Sequence, residues 1–298
     1  MITLVKDSHI LQSGTSSTFT INFNHKSEKF GSLFEEYAKS AEEIWSLKTG
    51  KLYLMYSGGV DSEYTLSVFL RLKIPIIPVI IKLNPGYNNH DLEYALKFCH
   101  ANNLSPEIID IDFDHFVKSG KLYEYASRYK SSVYHRSATM HAISQINGTV
   151  IMGDSEPYIR KNTKNNRWYF CLSEHDYAIP KFFEENNIPG TPHFNGWSQG
   201  QYRTFISDSI MTRLARDLIP GKLGSNSSKI HIYNREPEIQ LTPRPKFTGY
   251  EIIEKSPIFA HEEFQKLLSE GESYEGEYLV NYFKLMSDID LAVKEYNV

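Results

Sequence analysis

"KLYLMYSGGVDSEYTLSVFLRL", residues 51 to 72, is the stretch on which the fold turns. Leu52 to Tyr56 is apolar on both faces, as in a strand covered on two sides. Glu63 to Leu72 returns to helical spacing through Tyr64, Leu66, Val68 and Leu70 to Leu72. Between strand and helix stand Ser57-Gly58-Gly59-Val60-Asp61-Ser62. Two glycines directly after a strand let the backbone turn tightly and let a ligand reach main-chain N–H groups. Ser57 and Ser62 add hydroxyls, and the start of the helix adds partial positive charge. The stretch reads as an anion cradle with phosphate as its guest. Its spacing fits neither Gly-x-x-x-x-Gly-Lys-Ser/Thr nor Gly-x-Gly-x-x-Gly.

Outward from this loop, residues 31 to 45 place Leu33, Phe34, Tyr37, Ala41 and Ile44 on one helical stripe. Downstream, 76 to 83 reads as a buried strand, 89 to 103 as a helix and 107 to 112 as a strand. One or two helices follow over 121 to 146, then a strand over 148 to 154 that ends on Gly153-Asp154. Pro78 is awkward in a central strand and predicts an irregular start. Strands alternating with helices predict a doubly wound parallel α/β sheet. Ligands in such sheets sit at the carboxyl ends of strands, which brings Ser57 to Ser62, Lys82 to Gly86 and Gly153 to Glu156 to one edge.

After residue 157 the pattern changes. Residues 158 to 172 predict a hairpin around Lys164-Asn165-Asn166, 198 to 218 a helix, 221 to 229 a flexible connection and 261 to 296 a mostly helical tail. The expected organisation is an N-terminal extension or strands over 1–30, a nucleotide-binding core over 31–157 and a mostly helical substrate region over 158–298.

The chain has 298 residues, 41% hydrophobic and 23% charged, which suits a globular protein with a substantial core. A net charge of −4 provides no global attraction for nucleic acid or anionic membrane. Its longest apolar run, residues 74 to 81, is less than half a membrane span, and Lys6, Asp7 and His9 interrupt any signal-like core. A cytoplasmic location is the expectation. Only Cys99 and Cys171 occur, which leaves no disulfide framework and no Cys-rich metal site. Cys99 shares a helical stripe with Leu92, Ala95 and Leu96, and packing is its expected role. Cys171, with His175 four positions on, lacks a Cys-x-x-Cys partner. No His-Glu-x-x-His spacing or equivalent is present.

The six residues Ser57 to Ser62, after an apolar strand and before a helix, resemble the PP-loop of the ATP pyrophosphatases. This group includes GMP, NAD and asparagine synthetases, tRNA-modifying sulfurtransferases and PAPS reductase. The likeness extends more weakly to residue 156, through Arg136 and the segment Gly153 to Tyr158. Residues 244 to 251 are similar to the tail of phage-borne members. The resemblance implies a HUP/Rossmann-like fold that binds ATP with Mg²⁺ and cleaves between the α- and β-phosphates. It implies phosphate contacts at Ser57, Gly58, Gly59, Val60, Asp61 and Ser62, and adenine contacts along the backbone of Ile81, Lys82 and Leu83. Gly153 would belong to the nucleotide site, and Asp61, Arg136 and Asp154 to the catalytic set, with Asp61 orienting the loop, helping to cap the helix or holding the Mg²⁺. The expected activity is adenylation of an acceptor oxygen, on a small molecule or a nucleic acid. A sulfurtransferase, a PAPS-reductase-like enzyme or a non-catalytic nucleotide binder are the alternatives. No Cys follows position 171, which disfavours thiol-based reduction. Arg160, Lys164, Arg167, Trp168, Tyr169, Arg203, Arg244 and Lys246 form a local excess of cationic and aromatic residues suited to an anionic or planar acceptor. Arg160, Arg167 and Lys246 are expected to share a cleft with Asp61.

Overall fold

The computed structural model describes residues 8–12, 19–23, 31–131, 133–153, 157–162, 167–172, 178–206, 229–230, 232–235, 237–242, 250–270 and 278–280. An antiparallel hairpin, β1 (Ser8–Gln12) and β2 (Phe19–Phe23), comes first. Helix α1 (Leu33–Leu47) begins with a reciprocal cap: Ser32 Oγ accepts from the Glu35 N–H, and the Glu35 carboxylate accepts from the Ser32 N–H. It buries Leu33, Tyr37, Ala41 and Ile44 of the stripe read from the spacing, with Phe34 partly buried against them.

The core then alternates as β3 (Leu52–Met55), α2 (Val60–Arg71), β4 (Ile77–Asn84), α3 (Asn89–Ala101) and β5 (Glu107–Asp112). Next come α4 (Phe113–Lys118), α5 (Lys121–Tyr129), α6 (Tyr134–Ile143) and β6 (Thr149–Met152). The expected hairpin follows as β7 (Pro157–Asn162) and β8 (Arg167–Leu172), then α7 (Ala178–Glu185), β9 (Gly190–Thr191) and α8 (Gln199–Ile206). Helices α9 (Tyr250–Glu254) and α10 (Glu262–Glu270) and strand β10 (Tyr278–Val280) complete the described elements.

Strands β3, β4, β5, β6 and β9 form one parallel sheet in the order β5-β4-β3-β6-β9. Alternation along each strand sends side chains into two cores. Leu52 and Leu54 pack with α1, α2 and α3, while Tyr53 and Met55 pack with α4, α5, α6 and α7. Strand order reverses between β3 and β6, so a crevice opens outside their carboxyl ends.

Pro78 is accommodated by the stagger of the strands. The Val79 carbonyl accepts from the Tyr56 N–H, so Val79 turns toward β3 and Pro78 toward β5, whose pairing begins only opposite Val79. No ladder donor is needed at Pro78.

A second five-stranded sheet runs β1-β2-β10-β8-β7. Its strand β10 falls in a stretch whose spacing reads as helix. Tyr278, Leu279 and Val280 suit a pleated surface as well, and the edges of β2 and β8 supply the pairing. Of the helix expected over 198–218, Gln199–Ile206 is observed and 207–218 lies outside the described residues.

Candidate functional site

The loop after β3 sits at the point where the strand order reverses. Gly58 has φ +79°, and a Cβ there would lie 2.6 Å from the Asp91 carbonyl and 3.2 Å from the Ala95 nitrogen. Only glycine allows both this conformation and this approach to α3. Gly59 is the N-cap of α2 in ordinary extended geometry, and no side chain among the described residues caps the helix. The first-turn N–H groups of Val60, Asp61 and Ser62 therefore lack intrahelical acceptors and face the loop. Ser57 Oγ accepts from the Gly59 N–H at 3.2 Å and lies 3.2 Å from Ser62 Oγ, which donates to the Gly59 carbonyl at 3.1 Å. The hydroxyls thus hold the loop's turn from within.

Asp61 meets two residues that the sequence does not point to. Its Oδ2 lies 3.0 Å from Lys229 Nζ, and its Oδ1 accepts from the Tyr233 hydroxyl at 2.7 Å. The Lys229 and Asp61 side chains are 16% and 19% exposed, so this pair is partly withdrawn from water. Tyr233 stacks on Tyr64 of α2 with ring centroids 4.3 Å apart. Lys229 is the last residue of the stretch 221–229 read as a flexible connection, yet it is helical, as is Tyr233, and no local periodicity ties either to position 61.

Gly153, at the end of β6, touches the same helix. A Cβ there would meet Ser62 Cα at 2.8 Å and Thr65 Oγ1 at 3.0 Å, so glycine lets β6 reach the first turn of α2. Buried Asn195 ties the two together: its Nδ2 donates to the Gly153 carbonyl at 3.0 Å, and its Oδ1 accepts from Thr65 at 2.9 Å. Two residues earlier, burial and then the charge of Arg136 push His193 down to about 3. His135, beside Arg136 on α6, is pushed down to about 3 by the same two causes in the same order. Arg136 therefore acts on His193 at the end of β9. Asp154 lies outside the described residues, as do Ser155 and Glu156.

At the carboxyl end of β4 the expected adenine contacts are already engaged. Asn88 Nδ2 donates to the Ile81 carbonyl at 2.7 Å, and Asn88 Oδ1 accepts from the Leu83 N–H at 2.8 Å. The Lys82 side chain is directed elsewhere. It pairs at 3.0 Å with Asp110 of β5, and its hydrogen bond holds that carboxyl below the usual range.

Cys99 is buried on α3, as its stripe predicts, and burial pushes its thiol up to about 11, aided by the charge of Glu63. A thiol so raised is a poor nucleophile near neutrality. Arg160 and Arg167 fall on β7 and β8, and Arg203 on α8. The side chains of these three, that of Cys171, and the whole of Lys164, His175, Arg244 and Lys246 lie outside what is described. No cluster of three or more His, Cys, Asp or Glu among the described residues is arranged to hold a metal. A single loop carboxylate fits Mg²⁺ that arrives on nucleotide phosphates and not a preformed all-protein cage. No helix among the described residues is long and apolar enough to cross a membrane.

No protein-family model and no curated protein matches this chain. Similar solved structures include a predicted subunit of tRNA methyltransferase from Methanocaldococcus jannaschii, at TM-score 0.31 and 16% identity, covering 62% of this chain and 88% of that one. They also include an NH3-dependent NAD synthetase from Campylobacter jejuni, at TM-score 0.28 and 16% identity, covering 72% and 98%. An NMN synthetase from Francisella tularensis has TM-score 0.29 and 13% identity, covering 74% and 100%. The strand, glycine turn and helix behind the resemblance to the PP-loop ATP pyrophosphatases stand in that order at the carboxyl edge of a parallel α/β sheet, with Val60, Asp61 and Ser62 already in the first turn of α2 and not in the loop before it.

Proposed function

We propose that this chain binds ATP with its polyphosphate in the Ser57–Ser62 loop and transfers the adenylyl group to an acceptor oxygen. The observation that supports this reading is the uncapped start of α2 at the strand-order reversal, entered through a left-handed glycine and flanked by two serine hydroxyls. Backbone N–H groups and the helix end would hold the β- and γ-phosphates. In the reaction the acceptor oxygen attacks the α-phosphorus, the bond from that phosphorus to the bridging oxygen breaks, and pyrophosphate leaves with the electron pair. Alignment and charge stabilisation are what such a transfer asks of a protein. Mg²⁺, when bound through Asp61 and the phosphates, supplies charge neutralisation. Lys229, held 3.0 Å from Asp61, brings a cation of the chain's own to the loop. The buried, raised thiol of Cys99 favours this reading over thiol chemistry at that residue.

Calorimetry with ATP and Mg²⁺, followed by pyrophosphate release against a panel of carboxylate, amide and carbonyl acceptors, tests the proposal. Lys229→Met is expected to lower kcat/KM for ATP by about a hundredfold, the usual scale for losing one charge-stabilising group. Binding without pyrophosphate release from any acceptor would leave a nucleotide-binding module. Absence of ATP binding by the wild-type chain would overturn the reading entirely.

A further inference from the structure

Asn88 occupies a position whose ordinary use it forgoes. It is the N-cap of α3, where asparagine normally accepts from the N–H groups of its own helix, yet its side chain makes no capping bond. Its carboxamide instead reaches back to β4 and satisfies the Ile81 carbonyl and the Leu83 N–H together.

The geometry of the sheet shows where those two backbone groups point. Pairing of β3 with β4 ends at Met55 opposite Val79, and the Tyr56 N–H makes the last bond, to the Val79 carbonyl. Positions of the same parity as Val79 turn toward β3, so Ile81 and Leu83 present their polar groups beyond the end of that strand. There the chain has left the sheet to form the Ser57 loop. Gly58 of that loop packs against α3 at Asp91 and Ala95, about one and two turns from Asn88. The open edge of β4, the loop and the start of α3 therefore border one crevice.

A carbonyl and an N–H side by side bind any group that offers a donor next to an acceptor. A carboxamide does so, and so does adenine through its N6 amino group and N1. Hypoxanthine reverses the pattern, with an acceptor at O6 and a donor at N1.

We propose that Asn88 is a base-specificity gate: its carboxamide stands in for adenine on Ile81 and Leu83 in the nucleotide-free chain, and the base of ATP takes the same pair once Asn88 turns away. This rests on the reading of the Ser57 loop as a nucleotide site. Adenine then binds at the cost of the amide's two bonds, and a base without the donor–acceptor pair cannot displace them. ATP gains affinity from its base, whereas ITP binds no better than its phosphates alone.

The experiment compares ATP, ITP and inorganic tripolyphosphate by calorimetry on the full chain and on Asn88→Ala. With the amide gone, ATP is expected to bind about tenfold more tightly, the net worth of one to two hydrogen bonds, with ITP and tripolyphosphate unchanged. Because Asn88→Ala could disturb the start of α3, a second measurement uses the unmodified protein. The ¹⁵N side-chain amide resonance of Asn88 should shift on titration with ATP and stay in place with tripolyphosphate. Equal or weaker ATP binding by Asn88→Ala, or a resonance that ATP leaves unmoved, would make Asn88 a turn staple and overturn the gate. Equal affinity for ATP and tripolyphosphate in both proteins would place the base elsewhere and overturn it too, leaving the loop reading intact. Failure of all three ligands to bind would instead remove the loop reading, and the gate with it.

Discussion

Gly58 and Gly59 are adjacent in sequence and differ in what they do. At Gly58 the positive φ and the Asp91 carbonyl 2.6 Å from a hypothetical Cβ both exclude a side chain. Alanine there is expected to cost about 2 kcal/mol or more, combining left-handed strain with displacement of α3. Gly59 has φ −73°, and its Cβ would meet only the Ser57 hydroxyl, at 3.2 Å. Gly59→Ala should leave stability within about 1 kcal/mol while crowding the face a phosphate approaches. Urea unfolding of the two single variants separates them, and equal losses would contradict the assignment. Substituting both glycines at once would mix a folding defect with a binding defect. The sequence marks both as loop glycines. Which one is strained depends on where α3 packs, and no local pattern encodes that.

At the scale of elements, β6, α2 and the turn after β9 are joined by one side chain. Asn195 satisfies the Gly153 carbonyl and the Thr65 hydroxyl in a buried setting. Asn195→Ala would leave both without that partner, at an expected cost of about 2 to 3 kcal/mol in denaturant unfolding. Thr65→Val removes only the hydroxyl end and should cost less than Asn195→Ala. A larger loss from Thr65→Val would show that the link to Gly153 contributes nothing. Strands β3 to β6 and helices α1 to α3 were legible because apolar periodicity and turn residues are local signals. Asn195, Lys229 and Tyr233 were not, because they reach α2 from 130 to 172 positions away and nothing near them marks the approach. The same separation hid the second sheet, in which β10 pairs with β2 and β8.

For the molecule as a whole, the histidines set a pH dependence with a definite sign. Burial, and then the charge of Arg136, hold His135 and His193 down to about 3, and His141 is lowered by burial and by Lys121. In the unfolded chain each returns to about 6.5. Between those values the unfolded state binds protons that the folded state refuses, so stability is greatest above pH 6.5 and falls as the pH drops. From pH 7.5 to 5.5 each of the two strongly lowered histidines should remove about 1.4 kcal/mol, or about 3 kcal/mol together. This window lies above the carboxylate range, so Asp and Glu titration adds little to the slope. Urea unfolding at pH 7.5, 6.5 and 5.5 measures it directly. His193→Gln, which cannot take up a proton, should reduce the slope by about half whatever it does to stability at pH 7.5. Stability that stays level or rises on acidification would mean that His135 and His193 become protonated in the folded chain beside Arg136. The arrangement of α6 against the end of β9 would then differ from the one described.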